Sequence, residues 1–316
     1  VLTARTDQID YVEAADAHRG GAYYCRGCGA EAVLKAGHIR IAHFAHRPDA
    51  DCAFGAKMSL AHLTAQRRIA EALRGRGVSA RLEAFMPSLA GDRRVDVLAW
   101  PADRPAARIA IEVQASAMTA ELIAARTRSY NAEGVAPLWL RLFDFSAFAA
   151  AQTLPHRATV WIDTYRARAW ERWAHDHLGD RLWFLDQGTF LAWRGTFVPA
   201  HGHRGDIVQW VELELDGPFP LSALRLNRGQ IPGPDQTPRL AAWFVAPGEP
   251  PTARAPPMVR AVFKPESSGL ERQLEVQVEG LWIAALVEGA ARDWRTVRAP
   301  LAPIISPAVT SPRPAP

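Results

Sequence analysis

Hydrophobic and polar positions alternate along residues 78–86 (VSARLEAFM), 93–100 (RRVDVLAW) and 108–116 (RIAIEVQAS), the period of two that a half-buried strand requires. Strict alternation puts Arg81, Glu83 and Phe85 on one face of the first strand and Ala80, Leu82 and Ala84 on the other. On the second, Asp96 shares a face with Arg94 and Leu98, opposite Val95 and Val97. On the third, Glu112 and Gln114 lie opposite Ile109, Ile111, Val113 and Ala115. Residues 58–76 (MSLAHLTAQRRIAEALRGR) carry the helical period instead: Ser59 is the N-cap, His62, Gln66, Ile69 and Leu73 share its face, and Gly75 and Gly77 end the helix. That face is polar in its first two turns and apolar in its last two, so its N-terminal end is expected to point into a site. A second helix over 119–134 sets Arg126 and Tyr130 at i, i+4, and 136–142 (APLWLRL) reads as a buried strand. The predicted order over 58–142 is helix, three strands, helix, strand.

The second half is patterned more weakly. Residues 164–178 (TYRARAWERWAHDHL) read as a helix, and 181–197 as a hairpin turning at Gln187-Gly188. IVQWVELEL, RLAAWFVA and MVRAVF read as strands, with PGEPPTARAPP as a linker between the last two. Residues 270–292 suit either a strand and a helix or a helix throughout. The tryptophans of this half are assigned to a β-rich core. The end of the chain is Pro-rich and expected to be disordered. The layout expected is a zinc-binding module at 1–57, a core at 58–150, an α+β region at 151–296 and a tail at 297–316.

Composition narrows the class. A chain of 316 residues with 48% hydrophobic and 22% charged positions is that of a soluble globular protein. No apolar run approaches the roughly 18 residues of a membrane helix, which leads us to expect a cytoplasmic protein with no membrane segment. The net charge is only +4, and Lys occurs just at 35, 57 and 264. Arg binds phosphate in a bidentate fork, which suits nucleic acid, although a GC-rich genome produces the same bias. Arg93, Arg94, Arg126 and Tyr130 flank the acidic positions and are the candidate nucleic-acid contacts.

All three cysteines lie early, as Cys25-x-x-Cys28 and Cys52, with His43 and His46 between them. Two pairs of soft and borderline ligands separated by a short β-like stretch suit a closed, structural tetrahedral zinc site. An odd cysteine count argues against a disulfide framework. Cys25, Cys28, His46 and Cys52 are the expected ligands, with His43 the alternative.

The strand acids suggest other chemistry. Carboxylates on adjacent strands can hold magnesium or manganese against a phosphodiester. Asp96 and Glu112 are the expected ligands, with the Val113 carbonyl completing the protein's share. Gln114 would orient the attacking water, and Glu83 would assist a second ion or hold its waters. His62, on the polar end of the first helix, joins them as a candidate catalytic residue.

The zinc cluster and this core together resemble the CoiA-like competence family. The resemblance rests on YYCRGC at 23–28, KAGHIRIAHFAH at 35–46, Cys52, SLAHLTAQ at 59–66, RRVDV at 93–97, IEVQAS at 111–116, RTRSY at 126–130 and LWL at 138–140. It implies a PD-(D/E)XK nuclease-like α/β (α+β) fold with an αβββαβ core behind a zinc-ribbon-like module. It also implies DNA, single-stranded or branched, and recombination proteins as partners, in uptake, transformation or recombination. Asp96, Glu112 and Gln114 fall on the motif, with Gln where many such nucleases carry Lys. Ala61 stands where an acid is often found.

Overall fold

The computed structural model describes residues 1–47, 50, 52, 58–86, 93–148, 152–153, 159–177, 182–199, 210–232, 238–249, 260–265, 272–278 and 281–287. By its internal contacts the chain divides into Val1–Ala255 and Pro256–Pro316.

The N-terminal module is built from small sheets. β1 (Thr3–Ala4) pairs with β2 (Val12–Glu13), and β3 (Tyr23–Tyr24), β4 (Glu31–Lys35) and β5 (His43–His46) form an antiparallel three-stranded sheet. So short a module buries little, and its core is the cluster of Ala4, Tyr23, Ala32 and Phe44, with the Tyr23 and Phe44 rings 4.9 Å apart.

The core follows in the expected order: α1 (Leu60–Arg74), β6 (Val78–Met86), β7 (Arg93–Pro101), β8 (Ile109–Gln114), α2 (Ala120–Ala132) and β9 (Ala136–Phe143). Ser59 caps α1 by accepting the His62 amide, and Thr119 caps α2 by accepting that of Leu122. β6, β7 and β8 are antiparallel, whereas β8 and β9 are parallel, with α2 as the crossover between them. The two faces are filled separately. Leu82, Val97, Ile111, Val113 and Leu140 pack with Leu63, Ile69 and Leu73 of α1. Leu98, Ala110, Trp139 and Phe143 pack with Ile123 and Tyr130 of α2.

Strict alternation fails at one register. Leu82 and Val97 belong to the α1 face, yet Ala84 and Val95 belong to the α2 face. The ladder steps from Leu82–Val97 to Ala84–Val95, and Glu83 between them has φ 45°, in the left-handed region that L-residues rarely adopt. A left-handed residue twists the strand and swaps its faces, so the expectation that Leu82 and Ala84 share a face, and Val95 and Val97 likewise, is corrected here.

β10 (Gln152–Thr153), β11 (Thr159–Arg166), α3 (Ala169–His177), β12 (Leu182–Asp186), β13 (Leu191–Pro199) and β14 (Trp210–Pro220) extend the same sheet. Its order is β10-β11-β14-β13-β12-β9-β8-β7-β6, with β12 parallel to β9. The hairpin at Gln187-Gly188 is present as β12–β13. The expected helix over 164–178 is shorter at its start: Tyr165 and Arg166 pair with β14, and the helix opens at Ala169. Trp170 and Trp183 are fully buried.

β15 (Arg225–Pro232) and β16 (Pro238–Val245) form a hairpin whose Ala242 and Phe244 cover the α1 face. In the second unit β17 (Arg260–Pro265), β18 (Arg272–Val278) and β19 (Leu281–Val287) form an antiparallel meander. The helix considered for 270–292 is therefore replaced by strands, whose branched and apolar residues pair across the hairpin. The PSLAG turn, most of the PGEPPTARAPP linker and the Pro-rich tail lie outside the described residues.

Candidate functional site

Two constellations carry chemistry, and the first is the cysteine cluster. The Cys25 amide donates to the Ala30 carbonyl at 2.8 Å, and the Gly29 amide donates to the Cys25 carbonyl at 2.9 Å. Together these bonds close a tight knuckle in which the Gly27 amide points at Cys25 Sγ from 3.3 Å. Gly29 supplies the left-handed backbone, φ 75°, that the knuckle needs. β5 brings in His46, and the ligand atoms of Cys25, Cys28, His46 and Cys52 all lie within 4.8 Å of one another. Cys25 and Cys52 are buried, and Cys28 Sγ stands 3.5 Å from His46 Nε2. Three sulfurs and one imidazole nitrogen make a donor set able to hold a metal such as zinc. His43 stands outside the cluster, its Nδ1 against the Ile41 carbonyl at 2.9 Å.

The second constellation surrounds the acids. Pairing between β7 and β8 runs from Ala99–Ile109 to Val97–Ile111, and one step beyond lie Asp96 and Glu112. There the Asp96 side chain takes over from the ladder and accepts the Val113 amide at Oδ2, 2.8 Å. Gln66 donates to Oδ1 at 2.6 Å, and His62 Nε2 lies 3.3 Å from Oδ2. The polar end of α1 thus meets Asp96. Burial alone would raise the Asp96 carboxyl, but His62 and the Val113 amide outweigh it and hold the group below its ordinary value. Burial likewise works to lower His62, and the Asp96 carboxylate overcomes it, so the imidazole titrates above its usual range.

Glu112 is held from the opposite face. Arg126 donates to its Oε2 at 2.6 Å and the Tyr130 hydroxyl to its Oε1. The i, i+4 spacing of Arg126 and Tyr130 on α2 makes this two-handed grip possible, and Arg126 also covers the Trp139 ring. Burial pushes the Glu112 carboxyl up against the pull of Arg126, and the nearby charge of Asp96 adds to the rise.

Glu83 ties the N-terminal module to the core. Its Oε2 accepts from the amides of Leu2 and Thr3 and from the Thr3 hydroxyl, each at 2.9 Å, while Arg94 approaches Oε1 at 3.8 Å. Gln114 sits on the strand after Glu112, and its amide donates to the carbonyl and hydroxyl of Ser116 at 3.1 Å. Arg93 donates to Ser129 of α2. The side chains of Glu83, Asp96, Glu112 and His62 do not draw as close together as the cysteine cluster does.

One group had no signal in the sequence. Glu171 of α3 is fully buried, pairs with Arg141 Nε at 2.7 Å, and accepts from the Tyr165 hydroxyl at 3.0 Å and the Arg168 amide at 2.8 Å. Arg141 and Arg168 in turn donate to the Ala115 carbonyl at 3.0 and 2.7 Å. The turn that follows Gln114 is thereby fastened by residues far along the chain. A lone Glu in this helix carries no motif, so only the fold brings the trio together.

Fold and site define a sheet-rich α+β protein in which a zinc-ribbon-like module is joined to a core with buried acids at its strand ends. Residues 6–55 match the domain described as "Competence protein CoiA, N-terminal domain", and residues 59–161 the "Competence protein CoiA, nuclease-like domain". Across these two consecutive stretches, together just under half of the chain, the sequence is similar to the CoiA-like family. It is 28% identical over 119 residues to the competence protein CoiA of Bacillus subtilis (strain 168), a match that covers 37% of this chain and 31% of that protein. A crystal structure of a protein of unknown function aligns at 17% identity with a TM-score of 0.21, covering 26% of this chain and 46% of that one. Among the described residues no helix is long and apolar enough to cross a membrane.

Proposed function

We propose that this CoiA-like protein hydrolyses DNA phosphodiester bonds with Mg²⁺ or Mn²⁺, in DNA uptake, transformation or recombination. The observation that carries the reading is the end of the β7–β8 ladder, where Asp96 and Glu112 flank the step at which strand pairing stops. The donors suit a hard cation: carboxylates and the Val113 carbonyl are oxygen ligands, and the buried Gln66 Oε1 and Glu83 Oε1 lack a hydrogen-bond partner among the described residues. Asp96, Glu112 and the Val113 carbonyl would hold the ion, which when bound supplies charge to the phosphoryl oxygen and acidifies water. His62, whose imidazole the neighbouring Asp96 carboxylate raises above its ordinary range, would give a proton to the leaving oxygen. Gln114 would orient the attacking water after leaving Ser116, and Glu83 Oε1 would hold a water. Arg93, Arg94 and Arg126 border the acids as contacts for single-stranded or branched DNA, a role that Tyr130, fully buried with its hydroxyl on Glu112, does not take. Recombination proteins are the expected protein partners, and a cytoplasmic site of action goes with this reading.

One observation favours a second reading, in which the core binds DNA or a recombination protein without cleaving. Arg126 and Tyr130 occupy both oxygens of Glu112, and Gln114 brings no positive charge to a transition state. The two separate on incubation with Mg²⁺ or Mn²⁺ and single-stranded, duplex and branched DNA. Cleavage lost in both Asp96→Ala and Glu112→Ala supports hydrolysis at this site, and cleavage retained in both removes the assignment. Salt-sensitive DNA binding that survives chelation, with every substrate intact, selects the second reading.

A further inference from the structure

The β4–β5 hairpin has a packed foot and a bare tip. At the foot, Ala32 pairs with the metal-cluster residue His46, and Phe44 is buried against Tyr23. At the tip, Gly37, His38, Ile39 and Arg40 are all exposed, and Ile39 leaves 98% of its surface in water. No other large apolar side chain among the described residues is so open, the next being Ile9 at 55%. Solitary exposed hydrophobics are ordinary on protein surfaces, but this one lies at the tip of the β4–β5 finger with exposed basic residues on either side of it in the sequence, Lys35 before and Arg40 after. His38 and Arg40 adjoin it, and Lys35 ends β4 and is itself exposed. Arg19 fixes the finger's side by donating to the Ala36 carbonyl. Arg40 continues onto a cleft of about 370 Å³ that Arg47, His43 and Leu60 also line.

We propose that the tip is a nucleic-acid wedge, in which Ile39 enters between bases at a junction or fray while Lys35, Arg40 and Arg19 rest on the flanking phosphates. Apolar wedges unstack base steps, and flanking cations supply the affinity that makes unstacking favourable. A stiff base is required for such a tip, and the His46 end of the hairpin provides one at the metal cluster. The cations favour DNA over an apolar protein surface as the occupant. This inference rests on the reading that the protein acts on DNA, but it does not depend on cleavage.

The test uses the full chain, with zinc content and far-ultraviolet circular dichroism checked for each variant. A forked DNA carries 2-aminopurine at the junction, and binding is followed by anisotropy across a salt series. The wild type is expected to raise the 2-aminopurine signal. Ile39→Ser should lose most of that rise while keeping the salt slope. In Lys35→Ala/Arg40→Ala the slope of log K against log salt should fall by about 2. An Ile39→Ser protein with the full fluorescence rise overturns the wedge and leaves DNA binding standing, an outcome that would turn the tip toward a protein partner. A wild type that binds no DNA overturns both. Hydrolysis is judged separately, by the Asp96 and Glu112 variants.

Discussion

Asp96 and Val113 meet where β7 and β8 stop pairing: the carboxylate accepts the strand amide at 2.8 Å and replaces the missing ladder bond. Asp96→Ala removes the acceptor for three groups at once. Leaving buried donors unmet costs roughly 1–3 kcal/mol each before relaxation, so urea unfolding should shift to lower concentration by a large part of the protein's stability. Asp96→Asn keeps an acceptor oxygen, and its loss should be smaller. Equal losses in the two variants would show that the hydrogen bonds to Asp96 contribute little.

His62 makes part of that stability pH-dependent. Its folded pKa lies above the ordinary 6.5, so its contribution is complete below 6.5 and fades as pH rises through the folded value. Asp96, held below 3.8, contributes above that pH and fades as the solution becomes more acidic. The difference in unfolding free energy between wild type and His62→Gln should therefore be greatest between about 4.5 and 6 and shrink above neutrality. A difference that grows from pH 6 to pH 9 would reverse the assignment.

Arg126 competes with any cation for Glu112. If Asp96 and Glu112 share Mg²⁺, then Arg126→Gln frees the carboxylate, and the Mg²⁺ concentration giving half of the maximal thermal stabilisation should fall several-fold. Tyr130→Phe, which removes one hydrogen bond to a buried acid, should cost about 1–3 kcal/mol and lower the Mg²⁺ requirement less. An unchanged Mg²⁺ dependence in both would take Glu112 out of the ion's coordination.

Glu171 is a structural counterion for the turn after Gln114. Glu171→Gln removes the buried charge that faces the Arg141 guanidinium, a change expected to cost about 3–5 kcal/mol. Amide exchange at residues 115–117 should accelerate before the rest of the core opens, which hydrogen–deuterium exchange would detect. Uniform acceleration across the sheet would mean that the clamp has no local role.

Purified protein should carry one zinc per chain, and Cys28→Ser should lose it. Because Glu83 holds the amides of Leu2 and Thr3, loss of the metal should also lower the thermal midpoint of the core. A core midpoint unaffected by chelation would show that the module is merely tethered.

Local patterning captured the order from α1 to β9, since helical spacing over 59–73 and alternation over 109–115 each reflect one buried face. The grouping of Cys25, Cys28, His46 and Cys52 was equally legible, because ligand chemistry restricts the choice of residues. Hidden from the sequence was the face swap at Glu83, which depends on a backbone angle that no residue type announces. The opposed grips on Asp96 and Glu112 were hidden as well, because which helix reaches each strand end is set by packing and not by strand patterning. The Glu171 trio was invisible because its members come from separate elements with no shared spacing. Of the β18–β19 hairpin, the sequence left the first part open between strand and helix and read the second as helix, since Leu, Ala and Glu suit both states and only pairing between neighbours decides.

The parallel pairing of β9 with β12 has a consequence for how the chain is made. While synthesis has reached only the end of β9, that strand is an edge, with every residue but Arg141 of a type and position meant to be buried. An open apolar edge invites pairing with another chain. The nascent protein must therefore pass through an adhesive stage that ends only when Leu182–Asp186 has left the ribosome, and a fragment cut after β9 would stay in that stage permanently.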